Sequence, residues 1–335
     1  MSLKTQTAKQ YRARYPEKPT LALARVMYKE NQPLFKDTED ARSVLRYIEG
    51  KAGAERRKSV KDSEFLRSEA RPYNPYHLPA SDEACYEPVI LSKYKTIGLL
   101  NDLHAPYHNI EALSAAISEL KRQKVDCVIV TEMFDFHGGS KYLKDPRKRK
   151  LWEELEIGCE IFRIIYRELK CPIYFKLGNH DERWMHYLWQ KLGEFEQLQD
   201  LEEIKNLDFH KVLQARLKGV PITIVDDKRI IKVRNLNVIH GHEFGGSIFS
   251  PVNIARGFYL RAKANTIGGH HHRSSEHTEQ NINGEITTTW STGCLCELHP
   301  AYLPINSWNH GFAIITVEGK GFHVQNKRII KGKIY

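Results

Sequence analysis

Residues 95–104, Lys95-Thr96-Ile97-Gly98-Leu99-Leu100-Asn101-Asp102-Leu103-His104, run from an apolar strand straight into a carboxylate and an imidazole. The stretch up to Leu100 is apolar enough for a buried strand, and the polar Asn101-Asp102 ends it. The same event recurs downstream. Val125-Asp126-Cys127-Val128-Ile129-Val130 leads into Thr131-Glu132-Met133-Phe134-Asp135, and Pro172-Ile173-Tyr174-Phe175-Lys176-Leu177 leads into Gly178-Asn179-His180-Asp181. Two helical segments separate these strands. Ile110 to Gln123 carries Leu113, Ala116, Ile117 and Leu120 on one face, and Leu151 to Leu169 is a longer helix. Strand alternating with helix predicts a mostly parallel sheet covered by helices. Ligands of such sheets gather beyond the carboxyl ends of the strands, so polar groups placed there converge in space.

The later part is richer in strands: Ile222–Val225, Ile230–Val233, Leu236–Ile239, Thr287–Trp290 and Phe312–Val317, closed by a hairpin at Val317-Glu318-Gly319-Lys320-Gly321-Phe322. These predict a second, more antiparallel sheet packed on the first, an α/β sandwich of two sheets with helices outside. His240-Gly241-His242 and Gly269-His270-His271-His272 follow strand-like runs too. Asp and His two apart on a turn can bind one ion, and a glycine before His270 lets the backbone bend so that two imidazoles face inward. The donors are oxygen and nitrogen without thiolate, which suits Mn²⁺, Fe²⁺, Zn²⁺ or Ni²⁺ in a reactive site and not a structural zinc.

Taken in order, Asp-x-His, a carboxylate, Gly-Asn-His-Asp, His and Gly-His-x-His resemble the calcineurin-like metallophosphoesterase superfamily, over residues ~95 to ~325. The resemblance implies a βαββ sandwich of two mixed sheets and two divalent ions, with Mn²⁺ the first choice. One ion falls to Asp102, His104 and His272, the other to Asn179, His240 and His270, and Glu132 bridges them. His180 is then the group that protonates the leaving oxygen or stabilises the transition state, oriented by Asp181. The family's second motif normally reads Gly-Asp-x-x-Asp, whereas this chain has Thr131-Glu132-Met133-Phe134-Asp135. The bridging carboxylate is one methylene longer, a β-branched Thr replaces a Gly, and Asp135 is assigned a place behind the ligands. His242, His271 and His137 neighbour the site without a ligand position, facing either substrate or the ligands' outer side.

The implied activity is hydrolysis of phosphodiesters by water activated at the metal pair. No protein nucleophile recommends itself, and no Walker-type glycine loop is present. The chain of 335 residues carries a formal net charge of +10, which favours an acidic partner. A basic stretch, Lys141 to Lys150, follows the Glu132 motif, so Lys144, Arg147 and Lys148 are candidate substrate-binding residues. Arg183 and His242 join them by proximity to the motifs. Nucleic acid is thus the expected substrate, with a loose resemblance to DNA-repair nucleases and to phage and prophage relatives. A phosphomonoesterase, or a DNA-binding protein of this fold with weakened turnover, are the alternatives.

The first 80 residues hold 17 Lys or Arg against 10 Asp or Glu. Two short helices are predicted there, one starting at Thr20 as its cap, the other after Asp37-Thr38 with Ala41, Val44, Leu45 and Ile48 on one face. Asn31-Gln32-Pro33 between them completes a helix-turn-helix outline with Arg42 and Arg46 outward, either for DNA or for packing and assembly. The expected organisation is a basic helical segment at 1–50, a linker at 51–86 and a phosphoesterase domain at 87–335. No apolar run reaches the ~18–20 residues of a membrane span, and Met1 to Gln6 lacks a secretory apolar core. The six cysteines form no C-x-x-C pair. Free thiols in a reducing cytoplasm, away from membranes, are therefore expected.

Overall fold

A computed structural model describes residues 2–16, 18–51, 76, 86–140, 150–192, 206–225, 228–245 and 252–335. The chain divides into two compact units, Met1–Glu83 and Ala84–Tyr335. The expected linker falls outside the described residues except for Lys51, Tyr76 and Tyr86, as does the basic stretch with Lys144, Arg147 and Lys148.

In the first unit α1 (Leu3–Arg14), α2 (Thr20–Glu30) and α3 (Thr38–Ile48) surround one small core. The spacing of Ala41, Leu45 and Ile48 turns one face of α3 onto Leu23, Ala24 and Met27 of α2, and Phe35 closes the turn between them. Asp37 caps α3 by accepting from the Asp40 amide. Thr20 is not the cap of α2. Pro19 holds that position, and the Thr20 hydroxyl donates to Glu49 at 2.8 Å. α1 has no counterpart in the sequence reading.

The second unit is a mixed α/β sandwich of two mixed sheets flanked by helices. The first sheet has the order β13-β12-β11-β2-β3-β4-β5, built from β2 (Thr96–Asn101), β3 (Cys127–Thr131), β4 (Ile173–Lys176), β5 (Ile222–Val225), β11 (His310–Glu318), β12 (Gly321–Ile330) and β13 (Lys333–Ile334). β2 to β5 are parallel, and β11, β12 and β13 add antiparallel strands beside β2. The second sheet has the order β1-β6-β7-β8-β10-β9, from β1 (Val89–Ile90), β6 (Ile231–Val233), β7 (Leu236–Val238), β8 (Thr266–Gly268), β9 (Ser275–Gln280) and β10 (Ile286–Ser291). Two expectations change here. The hairpin β11–β12 belongs to the first sheet, and the second sheet is mixed, as the resemblance implied, and not mainly antiparallel as the strand pattern suggested, with β1·β6, β7·β8 and β8·β10 parallel.

Burial explains the apolar runs. Ile97, Leu99, Cys127 and Ile129 point between the sheets, against Val233, Val238, Ile267 and Trp290. Their alternates Leu100, Val128 and Val130 face the outer layer, α4 (Ile110–Arg122), α5 (Leu151–Leu169) and α7 (Phe209–Arg216). A strand covered on both faces reads as a continuous apolar run. On the other side α8 (Ile254–Ala262) packs Ile254 and Phe258 on Ile239. The five described cysteines are buried and free. Among the described residues no helix is long and apolar enough to cross a membrane.

Register sets up the site. Asn101 pairs with Thr131 and Thr131 with Lys176, so β2, β3 and β4 end level with one another. Val238 pairs with Ile267 across the parallel strands β7 and β8, and the chain leaves both at the same edge.

Candidate metal centre

The level strand ends bring Asp102, His104 and Glu132 together with His240, His270 and His272 from the other sheet. Two donor groups result. Asp102, His104, Glu132 and His272 form one, and Glu132, His240 and His270 the other, with donor atoms inside each group within 4.8 Å of one another. Glu132 is common to both. Its Oε2 lies 3.0 Å from His104 Nε2 and 3.3 Å from His240 Nε2. Asn179 joins the second group, its Oδ1 3.3 Å from His240 Nε2. All seven residues given ligand roles by the sequence are therefore gathered at one place.

The backbone there is strained. Asp102, His104, Glu132, His270 and His272 all have positive φ, between 49° and 67°, and make up five of the eleven such non-glycine residues among those described. The left-handed region disfavours side chains with a Cβ, and clusters of it mark positions that the surrounding structure holds for a purpose. The bend in Gly269-His270-His271-His272 is thus made by the histidines. Gly269 instead makes room, since a Cβ there would stand 2.3 Å from Asp102 Oδ2. Its absence lets Asp102 accept from the His270 amide with both oxygens, at 3.0 Å each.

Three of the inward imidazoles, those of His240, His104 and His272, are held from behind. Thr131, the residue in place of glycine, donates its hydroxyl to Asn101 Oδ1 at 2.8 Å and faces His240 Nδ1 at 3.3 Å. Its lone pair accepts from Nδ1–H, which leaves His240 Nε2 as the inward lone pair. Asn101 in turn donates to Thr292. His104 Nδ1 faces Asp135 Oδ1 at 3.4 Å, and His272 Nδ1 faces Cys296 Sγ at 3.8 Å. The longer Glu132 also has its space. A Cβ on Gly178 would lie 2.6 Å from both Cβ and Oε1 of Glu132, so the glycine leaves room for the extended carboxylate. The His180 amide then donates to Glu132 Oε1 at 2.8 Å.

These donors fit a pair of divalent cations. Asp102 and Glu132 are buried carboxylates, and His104 Nε2 and His272 Nε2 approach each other to 3.2 Å. Without a cation, protons must take up that charge. Burial opposes protonation of His240 and His272, yet Glu132 beside the first and Asp102 beside the second outweigh it and raise each to about 9. Burial first, then the neighbouring charge of His240, carries His270 the other way, down to about 3.

His180 stands beside this cluster, and the carboxylate that orients it is not Asp181. Asp181 is fully buried and accepts from the amides of Phe134 at 2.9 Å and Gly178 at 2.8 Å, tying the second motif to the third. Burial pushes its carboxyl well above the ordinary value, and the charge of Glu132 adds to that. His180 Nδ1 instead meets Asp135 Oδ1 at 2.8 Å, while Arg183 reaches His180 Nε2 at 2.8 Å and donates to the Asp135 carbonyl oxygen at the same distance. A guanidinium cannot accept, so Nε2 carries the lone pair and Nδ1 the proton.

A cavity of about 810 Å³ opens from this point, lined by Asp135, His137, Asn179, His180, Glu182 and Arg183 and, further out, His186, Gln190 and Tyr302. Arg183 and His137 thus face it. His242 does not line it, and its Nε2 lies 3.2 Å from Glu182. His271 is turned aside against Phe258.

Sequence reasoning missed a buried pair. Lys176, with no exposure, meets Glu243 at 2.8 Å. Glu243 accepts from the amides of His240 and Gly241, at 2.9 and 2.6 Å, and so braces the turn that carries a ligand. A lysine inside the apolar run Ile173–Leu177 was the available signal, since a lysine is almost never fully buried unless paired.

No model of a known protein family matches the chain, and no curated protein matches it in sequence. Among solved structures, wild-type Vps29 from Entamoeba histolytica complexed with Zn²⁺ aligns at 12% identity over 72% of this chain and 96% of its own, with a TM-score of 0.36. Vps29 from Chaetomium thermophilum gives 9%, 72%, 95% and 0.36, and Vps29 from Cryptosporidium parvum 14%, 72%, 95% and 0.37. At these scores the likeness has no bearing on what the site does.

Proposed function

We propose that the second unit is a metal-dependent phosphodiesterase of the calcineurin-like kind, acting on nucleic acid. The observation that carries this reading is the pair of donor groups sharing Glu132, with the His180–Asp135 pair standing at their edge. Asp102, His104, Glu132 and His272 would hold one divalent ion, and Glu132, Asn179, His240 and His270 the other, Mn²⁺ being the first choice. When bound, two such ions neutralise phosphoryl oxygens and make a coordinated water acidic enough to attack near neutral pH.

The chain's own residues supply the rest. A phosphate entering the cavity meets Arg183, whose guanidinium now donates to His180 Nε2. A phosphoryl oxygen is a stronger acceptor than a neutral imidazole, and that exchange frees Nε2. His180, its Nδ1–H held by Asp135, then takes a proton from solvent on Nε2 and passes it to the leaving oxygen, and the Asp135 carboxylate stabilises the imidazolium formed between those two transfers. Asp181 keeps the two motifs in register. A net charge of +10 supports a polyanionic substrate. Lys144, Arg147 and Lys148 and the basic N-terminal unit are proposed to contribute to its binding.

Hydrolysis of bis-p-nitrophenyl phosphate and of p-nitrophenyl phosphate, with Mn²⁺ titrated in and His180→Ala alongside, tests this. Diester turnover that falls at least ~100-fold in the variant supports the proposal. Monoester turnover alone makes the protein a phosphatase, and silence on both with metal bound points to a binding role.

A further inference from the structure

The two walls of the cavity differ in chemistry. One is aromatic. Trp308 sits edge-on against His272 with ring centroids 4.1 Å apart, and Tyr302 follows at 6.4 Å from Trp308. Tyr302 is 72% exposed yet lines the cavity, so a flat ring is left open at its mouth. Its loop is braced: Asn306 donates to the carbonyls of Leu298 and Leu303 and accepts from the Trp308 amide. The ring is therefore presented from a fixed support.

The other wall is one face of α6 (Arg183–Leu192), where Arg183, His186 and Gln190 recur at i, i+3 and i+7. Residues so spaced share a helix face and climb about 10 Å along its axis. Arg183 lies at the His180 end, a turn later comes an imidazole, and two turns out a carboxamide that both donates and accepts. A guanidinium suits phosphate, an open aromatic ring suits a planar heterocycle, and a carboxamide matches the paired donor and acceptor on a base edge.

We infer that this cavity seats an unpaired nucleobase belonging to a nucleotide of the scissile phosphodiester, stacked on Tyr302 and read along its edge by His186 and Gln190. The inference rests on the phosphodiesterase reading and narrows its substrate. A base held in a helical stack cannot reach between two such walls, so single strands, ends and free dinucleotides are accepted and uninterrupted duplex is not.

Thymidine 5′-(p-nitrophenyl phosphate) and methyl p-nitrophenyl phosphate release the same chromophore and differ by a nucleoside. With the Mn²⁺-loaded full chain, kcat/KM for the thymidine ester is expected to exceed that for the methyl ester by about 10-fold or more, the effect of one aromatic stack. Tyr302→Ala is expected to bring the ratio close to one, and Gln190→Ala to lower it. A ratio near one in the natural chain, or a ratio unmoved by Tyr302→Ala, overturns the base site. Thymidylyl-thymidine, a circular single strand and the relaxed closed-circular duplex of the same sequence then separate free dinucleotide from polymer, and a closed duplex cut as fast as the single strand also overturns it. If neither ester turns over, the catalytic reading fails by itself. Calorimetric binding of thymidine monophosphate against inorganic phosphate, in natural chain and Tyr302→Ala, then decides the pocket: tighter thymidine monophosphate binding that is lost in the variant supports it, and equal affinities refute it.

Discussion

At the scale of single residues, the aspartate next to His180 in sequence and the one 45 residues before it do different work. Asp135 touches the imidazole and Asp181 touches only backbone amides. Asp135→Asn should therefore lower kcat on a diester about 10²- to 10⁴-fold, the span of a general acid's contribution, with KM little changed. Asp181→Asn should lower the melting temperature, because a buried group serving two amides is altered, and the loss of activity should follow the loss of fold. Steady-state kinetics beside thermal melts separate the two, and an Asp181→Asn protein of full stability without activity would reverse the assignment. Gly178→Ala is the second prediction at this scale. The new Cβ meets Glu132 at 2.6 Å, so the shared carboxylate must move, and Mn²⁺ affinity should fall at least ~10-fold by calorimetry, in the range of disturbing a metal's supporting shell. That the candidate donors gather at one place was legible because few side chains bind metal and each followed an apolar run that could only be a strand. Which aspartate meets His180 was not legible, since it depends on turn geometry after two different strands. What Thr131 touches was not legible for a related reason: its hydroxyl meets Asn101 on the next strand and His240 on the other sheet.

Among the elements, β4 and the turn after β7 are joined through Lys176 and Glu243, neither of which touches the proposed substrate site. Removing one partner of a buried pair leaves the other uncompensated, at a cost of about 3–5 kcal/mol. Lys176→Met should unfold at correspondingly lower denaturant, and Glu243→Gln, which retains one acceptor for the amides of His240 and Gly241, should lose less. Equal stability of Lys176→Met and the natural chain in urea would remove the bond from the account. α5 supplies a buried carboxyl of another kind. Glu154, without exposure, accepts from the His137 amide, and burial first, then Asp135, raises its carboxyl to about 8. An acid raised from 4.5 to about 8 is protonated in the fold and ionised in the open chain between those values. Its contribution is complete below 4.5 and lost as pH rises through 8. Glu154→Gln should therefore flatten the decline of stability over that window, by up to about 1.4 kcal/mol per pH unit. Regular elements were read from sequence where one face is wholly apolar, as in α4 and α5. α1 escaped because only Thr7 and Ala8 are buried, and β9 because its six residues are polar and mostly exposed. The strands of the second sheet were hard to pair for want of length, β6, β7 and β8 having three residues each.

On the scale of the whole molecule, each unit has a core of its own. Ala8 to Ile48 supply the first, and all other buried apolar clusters lie between Leu91 and Ile329. Nothing in the donor set comes from the first unit, so removing residues 1–83 should leave turnover of a small diester within about three-fold of the natural chain. Binding of nucleic acid should respond differently. The first unit exposes Arg25 and Lys29 on α2 and Arg46 on α3. Arg42 pairs with Glu39 on the surface at 3.2 Å. If these three of the unit's exposed cations meet phosphates, each releases a counterion, and the slope of log affinity against log salt should become shallower by about 3 when the unit is removed. Fluorescence anisotropy of a labelled oligonucleotide between low and moderate salt reads that slope directly. A slope unchanged by the deletion would assign the unit to assembly and leave nucleic-acid binding to the sandwich alone. A change in slope with small-diester turnover intact would make the chain a tethered pair, one unit holding the polyanion by charge and the other cutting it.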